Sequence, residues 1–141
     1  MIESSRWQQR FSNFTKSFML LYSALDGKQI DDFDDLQQEG LVRRFEYNFE
    51  LLWKTLRDYL EYQDVRIGII SPKNVIKVAA ASNLLELIGI SGELLLDMAN
   101  SRNLLSHTYD GNEFKKILMK LKKEYLPEMK KIHDYFAVQK K

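Results

Sequence analysis

Cysteine is absent from this 141-residue chain, which excludes disulfide frameworks, thiolate catalysis and cysteine-based metal sites. No apolar run approaches the roughly 18 residues that a membrane-spanning helix needs. The first residues also lack the apolar core of a signal peptide, so we expect a cytoplasmic protein without a membrane association. The two histidines lack the spacing of zinc ligands and no glycine-rich phosphate loop is present. We therefore expect no metal site and no bound cofactor.

An excess of one charge is also missing, because the formal net charge is only +1. This balance argues against a protein that coats nucleic acid by bulk attraction. The charges are nevertheless unevenly distributed: residues 26–39 contain six acidic residues and one lysine, whereas residues 112–141 contain nine lysines and four acidic residues. Either both segments are solvated surface, or they steer a partner subunit or RNA.

Apolar residues follow a helical periodicity along nearly the whole sequence. Apolar residues recur every three or four positions, which predicts amphipathic helices. We predict helices over residues 7–25, from about 36–40 to 62, from Ser71-Pro72 to Gly89, from Ser91 to about 106–110, and from 112 to about 138 with a kink or break at Pro127. Residues 65–70 are expected to form a loop. The pattern predicts an all-α fold, an antiparallel up-and-down bundle of four to five helices forming a single domain over residues 1–141.

The fourth helix carries the residues that we regard as the functional centre. At about 100° per residue, Leu94, Leu95, Met98 and Leu105 share a buried arc, and Arg102 falls within it. An arginine there keeps its charge, so it must be paired or face a cleft or a subunit interface. His107 lies well round the helix from Arg102. The two converge only if the helix unwinds before His107 or if a partner subunit contributes; otherwise they form a satisfied polar cluster at a helix end.

Two polar residues on the second helix, Glu46 and Tyr47, are candidates to support this centre. Glu46 is a possible partner for Arg102 across the bundle. Glu50 and Lys54 have the spacing of a surface ion pair on one helix face. Tyr47 lies beside them in the same segment.

The sequence Arg102-x4-His107-x-Tyr109 resembles the R-x4-H-x-Y motif of HEPN domains, including a polar residue, Asn103, after the arginine. Other segments are similar, in the same order along the chain, to proteins of the nucleotidyltransferase substrate-binding family. They are residues 40–60, 71–76, 96–110 and 125–127.

This resemblance implies a function like that of the HEPN proteins in HepT/MntA toxin–antitoxin pairs. Those proteins are metal-independent ribonucleases and homodimers, with both motifs at the dimer cleft. A minimal nucleotidyltransferase partner silences them by transferring AMP to the motif tyrosine, here Tyr109. The implied partners are a second copy of the chain, the nucleotidyltransferase and RNA. The implied catalytic residues are Arg102 and His107, with Asn103, Ser106, Glu46 and Tyr47 in supporting positions.

The residues also suit this chemistry on their own. RNA cleavage through its 2′-hydroxyl needs a base for that proton and an acid for the leaving 5′-oxygen, and histidine can serve as either. An arginine fork stabilises the extra charge on the phosphorus centre. One chain supplies one motif histidine, and a dimer supplies two. The alternative is a non-catalytic subunit that presents a nucleotide or other substrate to its nucleotidyltransferase.

Overall fold

The computed structural model describes residues 5–107 and 110–140, and all regular structure in these ranges is helical. This confirms the predicted all-α class. A 3₁₀ turn at Ile30–Asp32 precedes the second helix, and a π-helical segment at Leu121–Tyr125 precedes the last one. The α-helices are α1 (Arg6–Leu25), α2 (Asp35–Tyr62), α3 (Pro72–Ala81), α4 (Leu84–Ile88), α5 (Gly92–Leu105), α6 (Gly111–Lys120) and α7 (Leu126–Gln139).

Helices α1 and α2 form the longest packed pair of the bundle. The ring of Trp7, near the start of α1, lies 5.1 Å from that of Tyr59, near the end of α2, so the two helices run antiparallel. Asp34 caps α2 by accepting the backbone N–H of Gln37 at 2.7 Å. Both helices bury one apolar stripe, as the periodicity predicts; in α1 it consists of Trp7, Phe11, Phe14, Phe18, Leu21 and Leu25.

The helix predicted to run from Ser71-Pro72 to Gly89 is in fact two helices. Its start is as expected, with Pro72 in the first turn. However, α3 ends at Ala81, and Asn83 adopts a left-handed conformation with a φ of 67° before α4 begins. Asparagine tolerates this conformation better than most residues because its short polar side chain bonds locally. The single-helix prediction is therefore wrong.

The expected disturbance at Pro127 takes the form of a π-helical segment rather than a break. Leu121–Tyr125 is π-helical, and Pro127 lies in the first turn of α7. Proline lacks the N–H that would bond one turn back, so the altered hydrogen bonding falls on the preceding turn. Tyr125, at the end of this segment, is fully buried and its ring stacks on that of Phe45 at 5.6 Å.

The two oppositely charged segments meet within the chain. The amine of Lys115 on α6 forms an ion pair with Asp31 of the 3₁₀ turn. Part of the local charge is thus satisfied internally. Among the described residues no helix is both long and apolar enough to cross a bilayer.

Candidate functional site

Arg102 lies in the last turn of α5, at the edge of that helix's buried face. Leu95, Met98 and Leu105 on this face are buried in the core. The Arg102 side chain is 31% exposed, and its Nη2 forms an ion pair with Glu50 Oε2 at 2.7 Å. The expectation that an arginine on this arc must be paired is therefore confirmed. The ion pair joins α5 to α2.

Glu50 is the centre of a small network on α2. Trp53 Nε1 donates to Glu50 Oε2 at 3.0 Å, and Lys54 Nζ lies 3.0 Å from Glu50 Oε1. Burial raises the pKa of Glu50, but the hydrogen bonds from Trp53 and Lys54 and the charge of Arg102 lower it by more, so its pKa lies below the ordinary value. Glu50 is thus a carboxylate at neutral pH and holds the guanidinium in one orientation.

Glu46 does not pair with Arg102. It accepts from Arg43, three residues earlier on α2. The proposed pairing across the bundle is therefore corrected to Glu50, whose predicted surface pair with Lys54 is also present. Tyr47 is 60% exposed and lies in a groove between α1 and α2 rather than beside Arg102.

A cleft of about 290 Å³ opens beside the Arg102 guanidinium. Its lining includes Arg102 and Asn103 from the end of α5, and Ser71, Pro72 and Lys73 from the start of α3. Both charged residues of this lining are cationic, and the N-terminus of a helix adds partial positive charge. The charge of this lining suits an anionic group such as a phosphate, and the volume leaves room for more of the molecule that carries it.

His107 lies just beyond the end of α5. The helix ends at Leu105, and the backbone N–H of His107 donates to Leu104 O at 3.0 Å in the following turn. Ser106 Oγ donates to Arg102 O at 3.2 Å. Ser106 and His107 are both exposed. The helix therefore stops before His107, which is one of the two conditions for the motif residues to converge, but His107 does not line the cleft beside Arg102. Tyr109 lies outside the described residues.

The chain also matches a known protein family. Residues 9–137 match the family model described as nucleotidyltransferase substrate binding protein like. The chain belongs to this family. A search of curated proteins finds no match. The matched region includes Glu50, Arg102 and His107, and the family's description associates the chain with a nucleotidyltransferase.

In this member of the family, a second polar network anchors the helix that carries Arg102. Tyr125 Oη donates to Asp97 Oδ2 at 2.6 Å and lies 2.8 Å from Ser101 Oγ. Lys120 Nζ lies 3.1 Å from Asp97 Oδ2. The Tyr125 hydrogen bond lowers the pKa of Asp97, and burial together with Asp97 raises the pKa of Tyr125. This network was not predicted from the sequence, although Asp97 and Ser101 are four residues apart on one face of α5.

Apolar side chains are exposed on both elements that form the cleft. Ile69 and Ile70 precede α3 and are 79% and 49% exposed, and Leu104 on α5 is 45% exposed. Within the described residues no cluster of three or more histidine or acidic side chains is arranged to hold a metal ion.

Proposed function

We propose that this chain is a metal-independent endoribonuclease, active as a homodimer and silenced by AMP transfer from a cognate minimal nucleotidyltransferase. The observation that carries the proposal is the Glu50–Arg102 ion pair at 2.7 Å. It holds the side chain of a residue that lines the cleft, at the end of the helix after which His107 is exposed. Arginine and histidine are the two residue types that cleavage through the RNA 2′-hydroxyl needs.

In the proposed reaction the 2′-oxygen attacks the adjacent phosphorus and the bond from phosphorus to the 5′-oxygen breaks. One histidine accepts the 2′-hydroxyl proton, and a second, protonated histidine donates a proton to the leaving 5′-oxygen. The products are a 2′,3′-cyclic phosphate and a free 5′-hydroxyl. Arg102 binds the non-bridging oxygens, whose negative charge increases in the transition state.

The requirement for two histidines supports a homodimer. His107 does not line the cleft beside Arg102 of its own chain, so a two-fold mate is needed to bring histidines from both chains to one phosphate. The exposed Ile69, Ile70 and Leu104 offer an apolar surface that a second copy would cover.

Regulation through Tyr109 follows from its position two residues after His107. Its hydroxyl oxygen would attack the α-phosphate of ATP, forming tyrosyl-AMP and releasing pyrophosphate. The added phosphate is then close enough in sequence to compete for Arg102 through charge-assisted hydrogen bonds. Incubation with the nucleotidyltransferase, ATP and magnesium should add the mass of one or more AMP units, and Tyr109→Phe should abolish this gain. Equal labelling of the Phe variant would exclude Tyr109 as the acceptor.

A second candidate function is a non-catalytic subunit that binds a nucleotide for its nucleotidyltransferase. The observation that favours it is the cleft itself, because Arg102, Lys73 and Asn103 can hold a phosphate without a histidine. In that case Arg102→Lys should weaken ATP binding to the isolated protein while His107→Ala should leave it unchanged. The two candidates are thereby separated by the behaviour of His107.

The deciding experiment is cleavage of single-stranded RNA by the isolated protein in EDTA. His107→Ala should lower the rate by roughly 10²–10⁴-fold. Arg102→Lys should also fail, because a point charge does not replace the guanidinium fork. His133→Gln is the matched control, since the ring of His133 packs on Phe11 and Phe18 of α1 at 5.5 and 5.6 Å. Cleavage that survives both motif substitutions would assign the activity to another site or a contaminant.

A further inference from the structure

A second basic surface lies between α1 and α2, distinct from the cleft beside Arg102. We call it the α1/α2 groove; it has a volume of about 390 Å³. Its lining residues are Asn13, Lys16, Ser17, Leu20, Arg43, Arg44 and Tyr47. All the charged residues in this lining are cationic.

Two of these cations are available to a ligand. Arg43 is engaged by Glu46. Lys16 and Arg44 are exposed, and neither forms an ion pair within the ranges 5–107 and 110–140. Unpaired cations on two facing helices create a local positive potential that attracts an anion.

Exposed apolar and aromatic side chains lie beside these cations. Tyr47 is 60% exposed and Leu20 is 61% exposed. A tyrosine ring beside unpaired cations is the combination by which proteins bind single-stranded nucleic acid, with the ring stacking on a base and the cations contacting phosphates. An acidic protein partner would need the cations but not the exposed ring.

A buried polar contact joins the two helices at the groove. Asn48 on α2 is fully buried, and its Nδ2 donates to Ser17 Oγ on α1 at 3.1 Å. Ser17 is itself a lining residue, so this bond fixes the spacing of α1 and α2 beside the groove.

The groove also lies close to the proposed catalytic site along α2. Tyr47 and Glu50 are three residues apart, so they are neighbours on one helix face with a rise of about 4.5 Å between them. A strand of RNA with one phosphate at Arg102 therefore reaches the groove within the next few nucleotides.

We propose that the α1/α2 groove binds the single-stranded RNA segment next to the cleaved phosphate. Tyr47 stacks on a base, and Lys16 and Arg44 contact phosphates. The inference rests on the proposed function in taking RNA as the ligand and Arg102 as the position of the cleaved phosphate. It adds a binding subsite that sets the minimum substrate length and a preference for unpaired RNA.

The test is fluorescence anisotropy with a fluorescein-labelled single-stranded RNA of about 12 nucleotides, using the full chain with His107→Ala to prevent cleavage. Tyr47→Ala should weaken binding by about 5- to 150-fold, which corresponds to the loss of one base stack. Arg44→Glu should weaken binding and lower the dependence of log K on log salt by about 0.7, the value for one phosphate contact on a single strand. Tyr47→Phe should bind like the parent protein.

Matched controls lie at the other end of the α1–α2 pair. Tyr62 is also 60% exposed, and Arg6 is an exposed cation in the first turn of α1. Tyr62→Ala and Arg6→Glu should each change RNA affinity by less than about 2-fold. Losses in these controls equal to those in the groove variants would overturn the proposal, as would an absence of RNA binding by the parent protein.

The outcomes separate this inference from the proposed function. If the wild-type protein cleaves RNA in EDTA but Tyr47→Ala and Arg44→Glu bind RNA normally, the groove is refuted and the nuclease stands. If the wild-type protein does not cleave but binds RNA and loses affinity in the groove variants, the nuclease is refuted and the groove stands as an RNA-binding surface without a cleaved phosphate beside it.

Discussion

Replacing Glu50 by glutamine removes the charge that holds Arg102 while keeping the size of the side chain. The variant loses the ion pairs with Arg102 Nη2 at 2.7 Å and Lys54 Nζ at 3.0 Å. The Trp53 hydrogen bond needs only an acceptor oxygen, so it can survive. Arg102 is left partly buried and without its counter-charge, which is the costly part of the change.

The expected loss lies between the values for exposed and buried ion pairs. The side chains of Arg102, Glu50 and Lys54 are 31%, 27% and 30% exposed. Exposed pairs contribute about 0–1 kcal/mol, and breaking a buried pair costs about 3–5 kcal/mol. After allowance for solvent screening, we expect Glu50→Gln to lower the free energy of unfolding by about 1–2 kcal/mol. For a chain of this length that corresponds to a fall in Tm of about 3–8 °C.

Urea unfolding of four proteins measures the coupling directly. They are the wild type, Glu50→Gln, Arg102→Gln and the double variant, and their cycle should give a coupling of about 1 kcal/mol between the two positions. Glu113→Gln is the control, because its partner Lys116 is 73% exposed and lies 3.5 Å away, so this pair should contribute less than about 0.5 kcal/mol. Strictly additive effects at Glu50 and Arg102 would show that the guanidinium is not held by this carboxylate.

Three further predictions concern the surroundings of the site. The pKa values of Glu50 and Asp97 lie below their ordinary values of 4.5 and 3.8. Because the unfolded chain therefore binds more protons at these two groups, the stability that they contribute should fall as the pH drops through about 5 to 3. A urea midpoint that does not change over this range would contradict this expectation. Tyr125→Phe keeps the stacked ring but leaves Asp97 and Ser101 without its hydroxyl, and should cost about 1–3 kcal/mol in urea unfolding. Ser71→Ala removes the cap of α3 and should cost about 1 kcal/mol, with a Tm equal to that of the wild type as the contrary result.

The sequence predicts the fold well where periodicity and caps agree. Ser71 and Pro72 mark the start of α3, and Ser91 marks that of α5, as the structure has them. The break between α3 and α4 was missed because it has no proline or glycine and follows a run of alanines, which are strong helix formers. The signal was Asn83, since asparagine is among the few residues that accept a left-handed conformation.

The sequence predicted that Arg102 needs a partner, but it did not predict which glutamate on α2 is that partner. An arginine on a buried arc must be paired, and Arg102 is. The sequence could not say whether Glu46 or Glu50 is the partner, because the two are one helical turn apart on the same face of α2 and only the packing of α5 against α2 decides. The Asp97–Tyr125 contact was unpredictable for a similar reason, since it joins two residues that are 28 positions apart in the chain and lie on different helical segments.

The central claim is that two chains share one nuclease site. The most direct test refolds wild-type and His107→Ala chains together in different proportions, at constant total concentration, and measures RNA cleavage in EDTA. If each site needs a histidine from both chains, the rate should follow the square of the wild-type fraction, with an equal mixture giving about a quarter of the full rate. A rate proportional to the wild-type fraction would contradict a shared site, and no cleavage by the pure wild-type protein would contradict the nuclease itself.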